Sequence, residues 1–94
     1  MKLNYFKKVE TRPGSFQTLL KFGDEIELSV ISGSGSYSSE TAPYEIAVFR
    51  NGEFTQLPGI TGPDDDVRGH LVEQDVDLVI KKLVTVTRAD PIQI

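Results

Sequence analysis

Between Phe16 and Ile31 the sequence FQTLLKFGDEIELSVI alternates apolar and polar residues on both sides of Gly23-Asp24-Glu25. A period of two is the signature of a strand with one buried face, so the stretch predicts a β-hairpin. Parity selects its register. A two-residue loop at Gly23-Asp24 would set Leu20 against Glu27 and Phe22 against Glu25, mixing charge into an apolar face. A three-residue loop over Gly23 to Glu25 pairs Phe22 with Ile26, Leu20 with Leu28 and Thr18 with Val30, which gathers the apolar side chains on one side. The other side then carries Lys21 opposite Glu27 and Leu19 opposite Ser29. The odd register is therefore expected, although hairpins of that length usually place glycine last rather than first.

A second hairpin is equally legible. In YEIAVFRNGEFTQL, Tyr44 to Leu57, the pair Asn51-Gly52 separates two alternating runs, and both residues accept the positive φ that a type I′ turn demands. Pairing across it places Phe49 against Phe54, Arg50 against Glu53, Val48 against Thr55 and Ile46 against Leu57. One face then holds Ile46, Val48 and Leu57, and the other Ala47, Phe49 and Phe54. If the second is uncovered, Phe49 and Phe54 form a candidate contact patch; otherwise they are a cross-strand aromatic pair beneath a neighbouring loop. Upstream, Leu3 to Thr11 reads as an edge strand whose lysines discourage further pairing. Arg12-Pro13-Gly14-Ser15 reads as a turn with Pro and Gly in its central positions.

The connections differ in character. Residues 32–43 (SGSGSYSSETAP) have the composition of a flexible Gly/Ser loop, which is either a binding loop presenting Tyr37 or an inert link. Residues 58–69 (PGITGPDDDVRG) form an acidic, Pro- and Gly-rich connection expected at the surface. Then the period changes. Val72, Val76, Val79, Ile80 and Leu83 recur at helical spacing and predict an amphipathic helix over about 73–84. Its acids come early and its bases Lys81 and Lys82 late, as the helix macrodipole favours. Val72 offers no cap to the first turn, and the β-branched run Leu83 to Thr87 suggests a last short strand. The fold class that results is α+β in a single domain over residues 1–94: an antiparallel sheet of four to five strands built from the two hairpins, with one C-terminal helix packed on one face. Phe16, Leu20, Phe22, Ile26, Leu28 and Val30 should receive Val76, Val79, Ile80 and Leu83, leaving the Lys21 and Glu27 face to water or a partner.

Charge and composition narrow the function. The net charge is −4, yet residues 1–22 carry Lys2, Lys7, Lys8, Arg12 and Lys21 against Glu10 alone. The acids concentrate later. Asp64, Asp65, Asp66, Glu73, Asp75 and Asp77 are separated by Arg68 as the one basic residue. Direct nucleic-acid binding is not expected of such a chain, because phosphate contacts need a basic surface. No apolar run approaches the roughly 20 residues of a membrane span and no signal core opens the chain, so a cytoplasmic location and no membrane partner are expected. There is no cysteine, hence no disulfide, thiolate nucleophile or cysteine zinc site.

Catalytic patterns are weak. Three adjacent aspartates point in different directions, and with only His70 beside them they do not make a metal site. Gly33-Ser34-Gly35 lacks the lysine and helix of a phosphate cradle, and the serines sit in a loop without a nucleophile elbow. Neither an enzyme nor a cofactor is expected.

The run YEIAVFRNG, Tyr44 to Gly52, and Asp65-Asp66-Val67-Arg68-Gly69-His70-Leu71 leading into the helix resemble the small proteins encoded by tailed bacteriophages. That resemblance implies a counter-defence or host-takeover factor, of anti-CRISPR or anti-restriction type, that works by binding a bacterial host protein in the host cytoplasm. With the charge map it leads to the expectation of a non-enzymatic inhibitor whose acidic residues occupy a basic groove and compete with nucleic acid. Tyr37, Phe49 and Phe54 are further candidate contacts. Two other functions fit the same residues: a virion or assembly accessory protein acting by self-association as a homo-oligomer, and a module sequestering a signalling nucleotide. The last needs Lys7, Lys8, Arg12 and Lys21 gathered on one side.

Overall fold

The computed structural model describes residues 1–33, 40–62 and 64–94. The chain is α+β as expected, and among the described residues seven strands make one antiparallel sheet, two short ones beyond the expected four to five. They are β1 (Val9–Arg12), β2 (Ser15–Phe22), β3 (Ile26–Gly33), β4 (Tyr44–Arg50), β5 (Glu53–Phe54), β6 (Val67–Leu71) and β7 (Pro91–Gln93), with helix α1 (Glu73–Thr87) between the last two. The order across the sheet is β1-β2-β3-β4-β5, with β7 also on the edge of β2 and β6 also on the edge of β4. Each long outer strand is thus covered by two short ones. Short edge strands leave few free backbone groups for other chains to pair with.

The first hairpin has the odd register. Phe22 faces Ile26, Leu20 faces Leu28 and Thr18 faces Val30, with Gly23 at φ 68 opening the loop. The earlier turn also keeps its expected form, since Arg12 pairs with Ser15 and Gly14 takes φ 81 in the position where a type II turn needs it. At the second hairpin Asn51 and Gly52 have φ 52 and 83, as a type I′ turn requires. Its pairing is shorter than expected. Phe49 faces Phe54 and Arg50 faces Glu53, and Thr55 still donates to the Val48 carbonyl at 2.8 Å. The strand then peels away. Ile46 is paired not with Leu57 but with Arg68 of β6.

Three further expectations are corrected. The first strand begins at Val9, because Leu3 to Tyr5 curl into a 3-10 turn that drops Leu3 into the core at 3% exposure. The connection 58–69 is not wholly superficial, since Ile60 and Thr61 are buried and Val67–Gly69 belong to β6. Helix α1 runs on through Leu83–Thr87, where a strand was expected. Thr85 and Thr87 donate their hydroxyls to the carbonyls of Lys81 at 3.0 Å and Leu83 at 2.7 Å, one turn back, which satisfies them without leaving the helix. Thr87 also accepts from the Ala89 amide at 3.3 Å, and Arg88 at φ 56 ends the helix in the left-handed conformation.

The core lies between one sheet face and α1. Leu20, Phe22, Leu28, Val48 and Ile46 from the sheet meet Val76, Val79, Ile80 and Leu83 from the helix, all essentially inaccessible. Phe16, assigned to the same face by parity, lies at its margin and is only half-buried. The helix start is secured from within. Val72 has no side-chain acceptor, but the Asp75 carboxylate accepts the Val72 amide at 3.1 Å, the acidic half of a capping box. Asp77 reaches further, accepting the Leu3 amide at 2.8 Å across 74 positions of sequence. Asp77→Ala strands that partly buried amide and is expected to cost about 1–2 kcal/mol. Hydrogen exchange checks it: the Leu3 amide should lose protection while amides of β3 keep theirs, and unchanged protection at Leu3 would contradict the anchoring.

Candidate functional site

The acidic segment hangs from a tight anchored turn. Leu57 accepts backbone bonds from Ile60 and Thr61, each at 3.0 Å, and its own amide donates to the Thr61 hydroxyl at 3.0 Å. Ile60 is driven into the core, which fixes the turn against the sheet. From this anchor the chain passes through Asp64, Asp65 and Asp66, all exposed, before β6 returns it to β4. Asp65 donates its amide to the Gly62 carbonyl at 3.3 Å, and Asp66 accepts from Gln56 Nε2 at 3.4 Å.

Beside these carboxylates lies a cleft of about 1000 Å³, lined by Gln56, Pro58, Gly59, Gly62, Asp65 and Arg68 among others. Its rim already attracts cations. Lys82 Nζ donates to the Gly59 carbonyl at 2.8 Å and Arg68 donates to the Ile60 carbonyl at 3.3 Å. The Pro58–Gly62 carbonyls and the aspartates therefore form one acceptor-rich region.

The six acids do not act as one surface. Asp75 and Asp77 accept hydrogen bonds from backbone amides of the fold, as described above, and both are half-buried. Glu73 is exposed in the first turn of α1, where its charge complements the helix dipole. Asp64–Asp66 remain the set open to a partner. Among the described residues no group of three or more His, Asp or Glu side chains is placed to hold a metal ion. His70 is exposed at the irregularity of β6, with φ 56. Tyr37 lies outside the described residues.

The aromatic pair is on the sheet face opposite α1. Phe49 and Phe54 stack with centroids 4.6 Å apart and rings tilted by 36°, and Phe54 is 53% exposed, so the pair is open on that side. Register maps the rest of this open face in rows across the strands. One row reads Ile92, Lys21, Glu27, Phe49, Phe54. The next reads Ile94, Leu19, Ser29, Ala47, Val67, with Ile94 donating its amide to Leu19 at 3.0 Å. A third reads Val9, Gln17, Ile31, Glu45. Ile92 and Ile94 stand out at 71% and 63% exposure.

The basic residues are dispersed. Lys8 lies over the Tyr44 ring, 5.3 Å from its centroid, on the helix side of the sheet, whereas Lys21 belongs to the open face. Arg12 Nε donates to the Ser15 hydroxyl at 3.3 Å. An anion site drawing on all four cations is therefore not assembled. Sequence patterning also missed what Ile60, Arg68 and Lys82 do. Ile60 could have been found, since a lone large apolar residue between Pro-Gly and Thr-Gly signals an anchor.

Compared with known proteins, the chain matches no family model, no curated protein and no solved structure. Among the described residues no helix is long and apolar enough to cross a membrane.

Proposed function

We propose that the protein is a non-enzymatic inhibitor that binds a basic surface of a bacterial host or defence protein, in the manner of the phage counter-defence factors it resembles. One observation carries this reading: the densest run of exposed carboxylates, Asp64–Asp66, sets Asp65 in the lining of a cleft whose rim carbonyls already accept hydrogen bonds from Lys82 and Arg68. An arginine or lysine from a partner would meet carboxylates and carbonyl acceptors together at the rim. Opposed charge speeds the encounter and fixes its orientation, and occupation of a nucleic-acid groove by carboxylates would exclude phosphate.

The test compares the wild type with the triple variant Asp64→Lys, Asp65→Lys, Asp66→Lys as bait in a bacterial lysate. The expected result is a basic protein retained by the wild type, lost from the variant and released as salt rises from about 50 to about 300 mM, because exposed charge pairs are screened over roughly 10 Å at 0.1 M. Retention that ignores both the reversal and the salt would remove the acidic segment from the interface.

A further inference from the structure

We propose that the open face of the sheet pairs with the same face of a second copy of this chain, about a two-fold axis running along the strands between β2 and β3. The face is divided along that line. On the β7 and β2 side the middle row carries the bulky Ile94 and Leu19, while on the β3 and β4 side it carries Ser29 and Ala47, which form the low floor of the face at 7% exposure each. In the first row the β2 side carries Lys21 and the β3 side Glu27, flanked by Ile92 and Phe49.

A two-fold lying between two facing sheets exchanges the two halves. Leu19 then rests over Ser29 of the partner subunit and Ile94 over Ala47 of the partner subunit, large on small. Lys21 meets Glu27 of the partner subunit and Ile92 meets Phe49 of the partner subunit, base on acid and apolar on apolar. Such an axis also keeps the strands of the two sheets nearly aligned, the commonest angle of sheet-on-sheet packing at about 10 Å separation. Gln17 donates to the Ser29 hydroxyl at 2.9 Å, so Leu19 of the partner subunit would pack against this amide as well as the serine.

Size matches in the middle row and charge in the first under one operation, which is why the occupant is a second copy rather than a foreign chain. The edges leave few alternatives, since each outer strand is already covered by two short ones. The axis superposes four strand positions by three rows, a projected area of roughly 400 Å² per copy, with β5 and β6 lying outside the overlap. Twice that falls in the range of weak, transient interfaces, so the expected dissociation constant is on the order of 100 μM.

Sedimentation velocity from about 1 μM to about 1 mM brackets that constant. The wild type is expected to pass from monomer to dimer over this range. Lys21→Glu and Glu27→Lys each place like charges in both symmetry-related contacts and should each weaken self-association about thirty-fold. Mixing the two variants sets the two carboxylates of one copy against the two lysines of the other, and should restore dimerisation near the wild-type level. Circular dichroism melts establish that each variant is folded before it is mixed. The wild type remaining monomeric at about 1 mM, a dimer indifferent to both substitutions, or a mixture that stays monomeric would each overturn the proposal.

Discussion

Leu28→Ala is expected to lower the unfolding free energy by about 3 kcal/mol, within the roughly 2–5 kcal/mol that buried leucine truncations cost. Leu28 is wholly inaccessible and sits on the central strand between Leu20 and Val48. The flanking strands and the helix fix its surroundings, so the cavity can close only by moving several elements at once. For a chain of this length total stability is on the order of 5–14 kcal/mol, and the midpoint of thermal unfolding should fall by roughly 12–24 °C. Urea titration provides the measurement: the midpoint shifts while the slope stays constant if the native fold is retained. A loss under about 1 kcal/mol would mean that this part of the core is loosely packed.

The second large effect is at a glycine. Gly33, at the end of β3, has φ 90, and a β-carbon built on it would be driven into the carbonyl oxygen of Gly14 in the preceding turn. Gly33→Ala therefore carries two penalties, the left-handed backbone at about 1–2 kcal/mol and the displacement of the Pro13-Gly14 turn from β3, for an expected total of about 3–4 kcal/mol. Gly52→Ala is the internal control. Its φ of 83 is as unfavourable for alanine, but nothing lies within 4 Å of the added carbon, so only the backbone cost of about 1–2 kcal/mol should apply. Equal losses in the two variants, measured by chemical denaturation, would show that the turn yields freely.

The parts of the fold that were legible in the sequence were those set by local chemistry. Parity fixed the odd register of the first hairpin, and Asn51-Gly52 fixed the second turn, because alternate side chains and positive φ are properties of a few adjacent residues. The short strands β6 and β7 were not legible. Val67–Leu71 contains Gly and His without alternation and Pro91–Gln93 opens with proline, so both exist only because β4 and β2 offer them an edge. Leu83–Thr87 misled for the opposite reason. Its β-branched residues favour a strand, but burial of Leu83 against the sheet keeps the segment helical.

The candidate site divides in the same way. Exposure of Asp64–Asp66 follows from a Pro-Gly-Asp composition, and the role of Asp75 could have been read from its position three residues beyond Val72. That of Asp77 could not, because its partner is the Leu3 amide at the far end of the chain. Nor does composition say which face of the sheet stays open. That depends on α1 covering one side, and it leaves Phe54 uncovered on the other.

The ends of the chain are joined twice. Besides the Asp77 bond to Leu3, the Gln93 side chain clasps Lys7, accepting its amide at 2.9 Å and donating to its carbonyl at 2.6 Å. Once α1 has docked, β7 follows after only Arg88–Asp90, so little extra loop-closure entropy opposes its pairing with β2. The N-terminal turn is consequently expected to open together with the helix and the last strand, although it lies at the opposite end of the sequence from them. Local unfolding that begins at either terminus is transmitted to the other, and a truncation at residue 8 would be felt in the helix as directly as one at residue 90.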